Sequence, residues 1–99
     1  MLHDPVNIDL IAPIKHGGQD LMAITLRPMT GRDLRECGFP CVIGPNGQYF
    51  DADACSRLVA RLANVTLAAV DMMQASDWQK CINAVAGFLG ERKAPTSSD

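Results

Sequence analysis

Histidines and aromatic side chains are scarce in this chain of 99 residues, which has two His, one Trp, one Tyr and three Phe. His3 stands near the amino terminus and His16 in a glycine turn. Neither has a clear orienting partner, so a Cys or Ser nucleophile finds no evident base. Glycine-rich phosphate loops of the G-x-G-x-x-G or Walker type are missing as well, and Gly17-Gly18 and the Gly44 to Gly47 stretch read as turns. Asp33, Asp51, Asp53, Asp71 and Asp77 each have a local reading as a helix cap or a solvated face, which leaves acid/base catalysis without specific support. Nothing here points to an enzyme or to a cofactor.

No apolar run approaches the roughly 20 residues of a membrane-spanning helix. The opening MLHDPVNID lacks a basic stretch followed by an apolar one, the pattern of a secretory signal, so the expected compartment is a cytoplasm. An excess of positive charge is also absent. Nine Lys and Arg face eleven Asp and Glu for a net charge of −2, and the cations are spread from Lys15 to Lys93, which disfavours a nucleic-acid partner.

Four cysteines, Cys37, Cys41, Cys55 and Cys81, form an even set, but a cytoplasm keeps thiols reduced. Cys37 and Cys41 make a C-x3-C pair, and zinc would need two more ligands from Cys55, Cys81, His3 or His16, none at a short paired spacing. Buried thiols are the expectation. A zinc-stabilised or thiol-active regulator using Cys37 and Cys41 stays open as an alternative.

What is present is architecture. A hydrophobic content of 47% with 20% charged residues is that of a globular chain, and 99 residues make a single domain, 1–99, with a modest core. Ile8, Leu10, Ala12 and Ile14 alternate, as do Met22, Ile24 and Leu26, with Gly17-Gly18 between them, predicting a β-hairpin over 8–27 that shares one apolar face. Pro13 cannot donate to a ladder and suits an edge or a strand end. Thr30 with Asp33 approximates a capping box, and Met29 and Leu34 occupy the positions of a hydrophobic staple, starting a helix that Cys37-Gly38 and Pro40 end. Residues 38–50 read as a loop or a second small hairpin around Gly44-Pro45-Asn46-Gly47.

From Asp51 the period becomes helical, with Cys55, Leu58, Val59 and Leu62 on one face and Asp53, Arg57 and Arg61 on the other. A shorter helix follows Thr66, and Ser76 with Gln79 suggests another capping box ahead of a helix whose stripe is Trp78, Cys81, Ile82, Val85, Phe88 and Leu89. Residues 91–99 read as a polar tail. The fold class is therefore α+β: an N-terminal β-hairpin followed by a small, mainly α-helical part of about four helices over 30–90. Stripes at helical spacing are more often core than recognition surface. The small residues Ala84, Ala86 and Gly87, the charge-free stretch between Lys80 and Glu91, and the adaptable Met72 and Met73 nonetheless make this end a candidate partner face. The candidate contact residues are Met72, Met73, Trp78, Val85, Phe88 and Leu89.

In order along the chain, PI followed by GGQ, then LRPMTGRDLRECGFP, and finally SDWQKCINAVAGFLG resemble the small tail assembly chaperones of Mu-like and P2-like bacteriophages with contractile tails. The resemblance runs from Ile8 to Leu89 and is carried by Arg27, Pro28, Asp33 and Leu34, then by Asp77, Phe88 and Leu89. The segment from Phe39 to Phe50 has no clear counterpart in the family pattern. The resemblance implies a non-enzymatic protein of the bacterial host cytoplasm that binds the tape measure protein during tail assembly. Further partners would be a second copy or a frameshift-extended form. The alternative is a small structural tail or baseplate adaptor retained in the virion.

Overall fold

The computed structural model describes residues 4–90, leaving aside the side chains of Val42, Ile43 and Gln48. The predicted polar tail, 91–99, and His3 lie outside the described residues. The chain opens with two long antiparallel strands, β1 (Val6–His16) and β2 (Gln19–Leu26), joined by the two-residue turn Gly17-Gly18. Both glycines have positive φ, 61° and 80°, which lets the turn twist with the strands and fixes the register His16↔Gln19.

That register does not persist. Asp9 pairs with Ala23 but Ile14 pairs with Leu21, so Leu10 to Pro13 bulge out opposite Met22 alone. Pro13 thus sits on an edge strand, as expected, but within a bulge inside β1 and not at its end, where its missing N–H costs no ladder bond. The bulge also shifts the parity of β2. Ile24 and Leu26 are buried, whereas Met22, expected on the same face, is 57% exposed.

Thr30 caps α1 (Gly31–Cys37) in a complete capping box with Asp33, and Gly38 at φ 97° ends the helix. Met29 and Leu34, the expected staple pair, are half-buried against the core. The second hairpin forms from β3 (Cys41–Gly44) and β4 (Gly47–Phe50) in a separate two-stranded sheet. Its base is tied down by Pro40, whose carbonyl accepts the Asp51 N–H at 2.8 Å and the Cys55 thiol at 3.4 Å.

Asp51 caps α2 (Ala52–Ala63), which stops at Asn64 in the left-handed conformation. This helix is the hub of the fold and packs on β2, α1, α3 (Leu67–Asp71) and α4 (Ala75–Gly90). Cys55, Leu58, Val59 and Leu62 all turn inward, as their spacing predicts. Thr66 caps α3 by accepting the Ala69 N–H. The hairpin β1–β2 closes the other side of a single core.

The start of α4 differs from the expectation. Ser76 lies inside the helix, Gln74 accepts the first-turn N–H of Trp78, and Gln79 bonds Asn83 one turn on. The residue that matters there is Asp77, drawn to β1 as described below.

Replacing Leu58, which is fully buried, with Ala should lower the unfolding free energy by about 3 kcal/mol, whereas Leu67→Ala on the exposed side of α3 should cost under about 0.5 kcal/mol. Denaturant titration of the two variants checks the assignment of faces.

Candidate functional site

Two buried carboxylates organise the surface. Asp33 is 1% exposed and accepts bonds from three elements. Arg27, just past β2, grips both of its oxygens at 2.8 Å, the Thr30 N–H donates at 2.9 Å, and Arg61 of α2 adds its Nε. Arg61 also reaches Glu36 at 2.7 Å, and Glu36 is shared with Arg32. The bond from Arg27 is the strongest influence on the Asp33 carboxyl; burial opposes it, and the Thr30 and Arg61 bonds help hold the group well below its ordinary 3.8.

Asp77, in the first turn of α4, is also buried. Its carboxylate accepts the N–H groups of Ile11, at 2.9 and 3.0 Å, and of Ala12, at 3.3 Å, the amides that the β1 bulge turns away from β2. Lys80 approaches Asp77 at 3.3 Å and donates to the Asp9 carbonyl at 2.9 Å. Burial is the largest influence and would raise this carboxyl, but the two amides and Lys80 together outweigh it and leave the group below the ordinary range.

All four cysteines are buried. Burial raises the Cys37 thiol and pushes those of Cys55 and Cys81 up to about 11, so they are protonated and poorly nucleophilic near neutral pH. Among the described residues no group of three or more His, Cys, Asp or Glu is placed to hold a metal ion. The ring of His16 accepts the Thr66 N–H at 3.4 Å, tying the first hairpin to the start of α3.

The six candidate contact residues divide. Val85, at 1% exposed, Phe88, at 9%, and Met73 belong to the core beneath α3 and α4. Trp78 is half-buried, with its indole N–H donating to Ser56 Oγ of α2 at 3.0 Å, and Leu89 is half-buried. Met72, at 66%, stands out into solvent. The exposed apolar surface also includes Ile11, which alternation in β1 already turns outward, Met22, which alternation in β2 places inward, Phe39 after α1, and Tyr49 and Phe50 on β4. The bulge opposite Met22 accounts for that residue. Tyr49 and Phe50 belong to the separate second hairpin, and Phe39 follows the end of α1.

Residues 7–90 match the family described as phage tail assembly chaperone proteins, E, or 41 or 14. The chain belongs to the phage tail assembly chaperone family. No curated protein and no solved structure matches it. The residues that carry the family resemblance in the sequence have structural work in this chaperone: Arg27 and Asp33 form the two-pronged ion pair, Asp77 holds the β1 bulge, and Phe88 lies in the core. No helix among the described residues is long and apolar enough to cross a membrane. The family is non-catalytic in general, and its assembly role implies contact with tail proteins.

Asp33→Asn leaves two arginines facing a neutral amide and should cost about 2 to 3 kcal/mol at neutral pH, below the range for fully buried pairs because Arg27 and Arg61 remain partly in water. Both Asp33 and Asp77 are depressed in the folded state, so their contribution is complete above the unfolded value and is lost as pH falls through the folded one. Thermal melts should hold steady from neutral pH down to about 5 and decline below about 4, with a shallower decline in Asp33→Asn.

Proposed function

We propose that this tail assembly chaperone binds the phage tape measure protein and keeps it soluble until tail tube subunits polymerise around it. On this reading it acts in the bacterial host cytoplasm and is left out of the finished virion. The observation that carries the reading is the family match across residues 7–90, nearly all of the described fold.

The surface supports it. A tape measure is a long, helix-rich chain, and apolar helix faces that await enclosure aggregate unless they are covered. The exposed apolar groups here are single side chains spread over several elements: Met72, Leu67, Ile11, Met22, Phe39, Tyr49 and Phe50. Such a surface makes weak contacts. Many copies along one extended partner would retain it collectively and still yield one by one to the growing tube. Within the carboxy-terminal candidate set, Met72 is exposed and leads the contact, Trp78 and Leu89 are half-buried, and Met73, Val85 and Phe88 belong to the core. The role needs no catalysis and no cofactor.

Co-expression with the tape measure protein of the same phage tests the reading. The tape measure should be recovered soluble and in complex only when the chaperone is present, and Met72→Glu should reduce its recovery at least threefold while leaving the melting temperature of the isolated chaperone within about 2 °C. Equal solubility with and without the chaperone, or abundant copies of this chain in purified virions, would overturn it, the second in favour of a structural adaptor.

A further inference from the structure

A two-stranded sheet has two outer edges, and the first hairpin closes only one of them. On β1, Asp77 takes the N–H groups of Ile11 and Ala12, Lys80 takes the Asp9 carbonyl, and Pro13 has no N–H to offer. The bulge and the exposed Lys15 are further features that keep a foreign strand from pairing there. β2 carries none of these devices. Its sequence, QDLMAITL, holds no proline, lysine or arginine, and its one charge is Asp20 near the turn.

The open part of the β2 edge lies between Met22 and Arg27. Ala23 to Leu26 pair in unbroken register with Val6 to Asp9. The Arg27 N–H, one residue past the strand, points away from β1 and donates to the Leu62 carbonyl in the last turn of α2 at 3.2 Å. Backbone direction alternates along a strand, so the N–H and C=O groups of Thr25 and Ala23 face the same way as the Arg27 N–H. The Asp9 carbonyl, opposite Ala23, likewise turns out of the ladder toward Lys80. Among the described residues, nothing from another element bonds the backbone of Ala23 or Thr25, and both residues are exposed. Met22, beside them, is 57% exposed.

We propose that this edge pairs with the β2 edge of a second copy of the chain, antiparallel about a two-fold axis at Ile24, joining two hairpins into one four-stranded sheet. The axis follows from the groups that face outward. With Ile24 on it, Ala23 stands opposite Thr25 of the second copy and Thr25 opposite its Ala23, and each of these pairs exchanges both N–H···O bonds. Met22 falls opposite Leu26 of the second copy, so the seam runs beside an apolar side chain that the lone monomer leaves in water. The charges favour a second copy as the occupant. From Gln19 to Arg27 the chain has one acid, Asp20, at the turn end and one base, Arg27, at the other. Antiparallel self-pairing brings Asp20 to within one residue of Arg27 of the other copy at both ends of the seam, whereas parallel pairing would set like against like. Both side chains keep solvent exposure for this contact, 60% for Asp20 beside Lys15 and 46% for Arg27 on Asp33. Because α2 covers the edge at Arg27, the seam is short and the dimer is weak and reversible. The inference concerns this chain alone and does not rest on the chaperone reading.

Sedimentation velocity of the full chain, paired with amide hydrogen exchange, tests the proposal. The wild type should pass from monomer to dimer between about 10 µM and about 1 mM, the range of a contact below standard interface size. The Ala23 and Thr25 amides should gain protection in step with the dimer. The variant A23K/T25K opposes lysine to lysine twice across the seam and should weaken association at least tenfold, with its melting temperature as the folding control. Should that variant unfold, T25K alone replaces it. A chain that stays monomeric throughout the range would overturn the inference. So would a dimer that leaves the Ala23 and Thr25 amides unprotected or that survives the lysine substitutions unchanged, since it would use another surface. Protection of these amides that appears only when the tape measure protein is added to a monomer would overturn it in favour of a foreign strand.

Discussion

The fold depends on how the Asp33 carboxylate is kept ionised away from water. An isolated buried carboxylate is costly, and it survives only when charged or N–H donors satisfy its oxygens. Here those donors come from the end of β2 through Arg27, from the start of α1 through Thr30, and from α2 through Arg61. One charge therefore fixes the mutual placement of a strand, a short helix and the central helix. A seven-residue helix such as α1 is marginal in isolation, and this network, with the apolar contacts of Leu34 and Cys37, accounts for its persistence.

Asp77 does for the amino-terminal hairpin what Asp33 does for the middle of the chain. A bulge of four residues opposite one leaves backbone N–H groups without cross-strand acceptors, and buried donors of that kind must be met. Asp77 meets those of Ile11 and Ala12 from the first turn of α4, sixty-six and sixty-five positions away in sequence. The position of α4 against β1 is set by this bond as much as by apolar packing.

Features governed by neighbours in sequence were legible without the structure: the glycine turn, the Thr30 box, the Pro-Asn turn of the second hairpin, and the inward stripe of α2. Features governed by distant partners were not. Alternation places Met22 inward because nothing in its own strand reveals that β1 holds extra residues opposite it. Periodicity assigns Arg61 to the solvated face of α2, and only the approach of α1 makes it a partner of Asp33 and Glu36. Ser76 and Gln79 have the spacing of a capping box, but the helix starts at Ala75, with Gln74 accepting the Trp78 N–H and Gln79 bonded to Asn83. For the candidate surface the limit is similar, because a helical stripe announces that one face is apolar without saying how much of it the core consumes. On α4 the core takes Cys81, Ile82, Val85 and Phe88 almost completely.

That consumption bears on how such a small chaperone can work. Had the stripe of α4 been left open, it would form a continuous apolar patch, and a free monomer with that patch would self-associate or hold its client too firmly to be displaced. Closing the core over the stripe leaves isolated apolar groups on α3, at the bulge of β1 and around the second hairpin, each able to contribute a small increment of binding. On the proposed function, affinity would then come from the number of chaperones on one long client, and release would proceed by losing them singly. The two buried carboxylates make this arrangement feasible, because they orient the elements through polar bonds that need no extended apolar interface. Structural duty falls on Arg27, Asp33, Asp77 and the core, and the side chains facing solvent remain available for recognition without being required for folding.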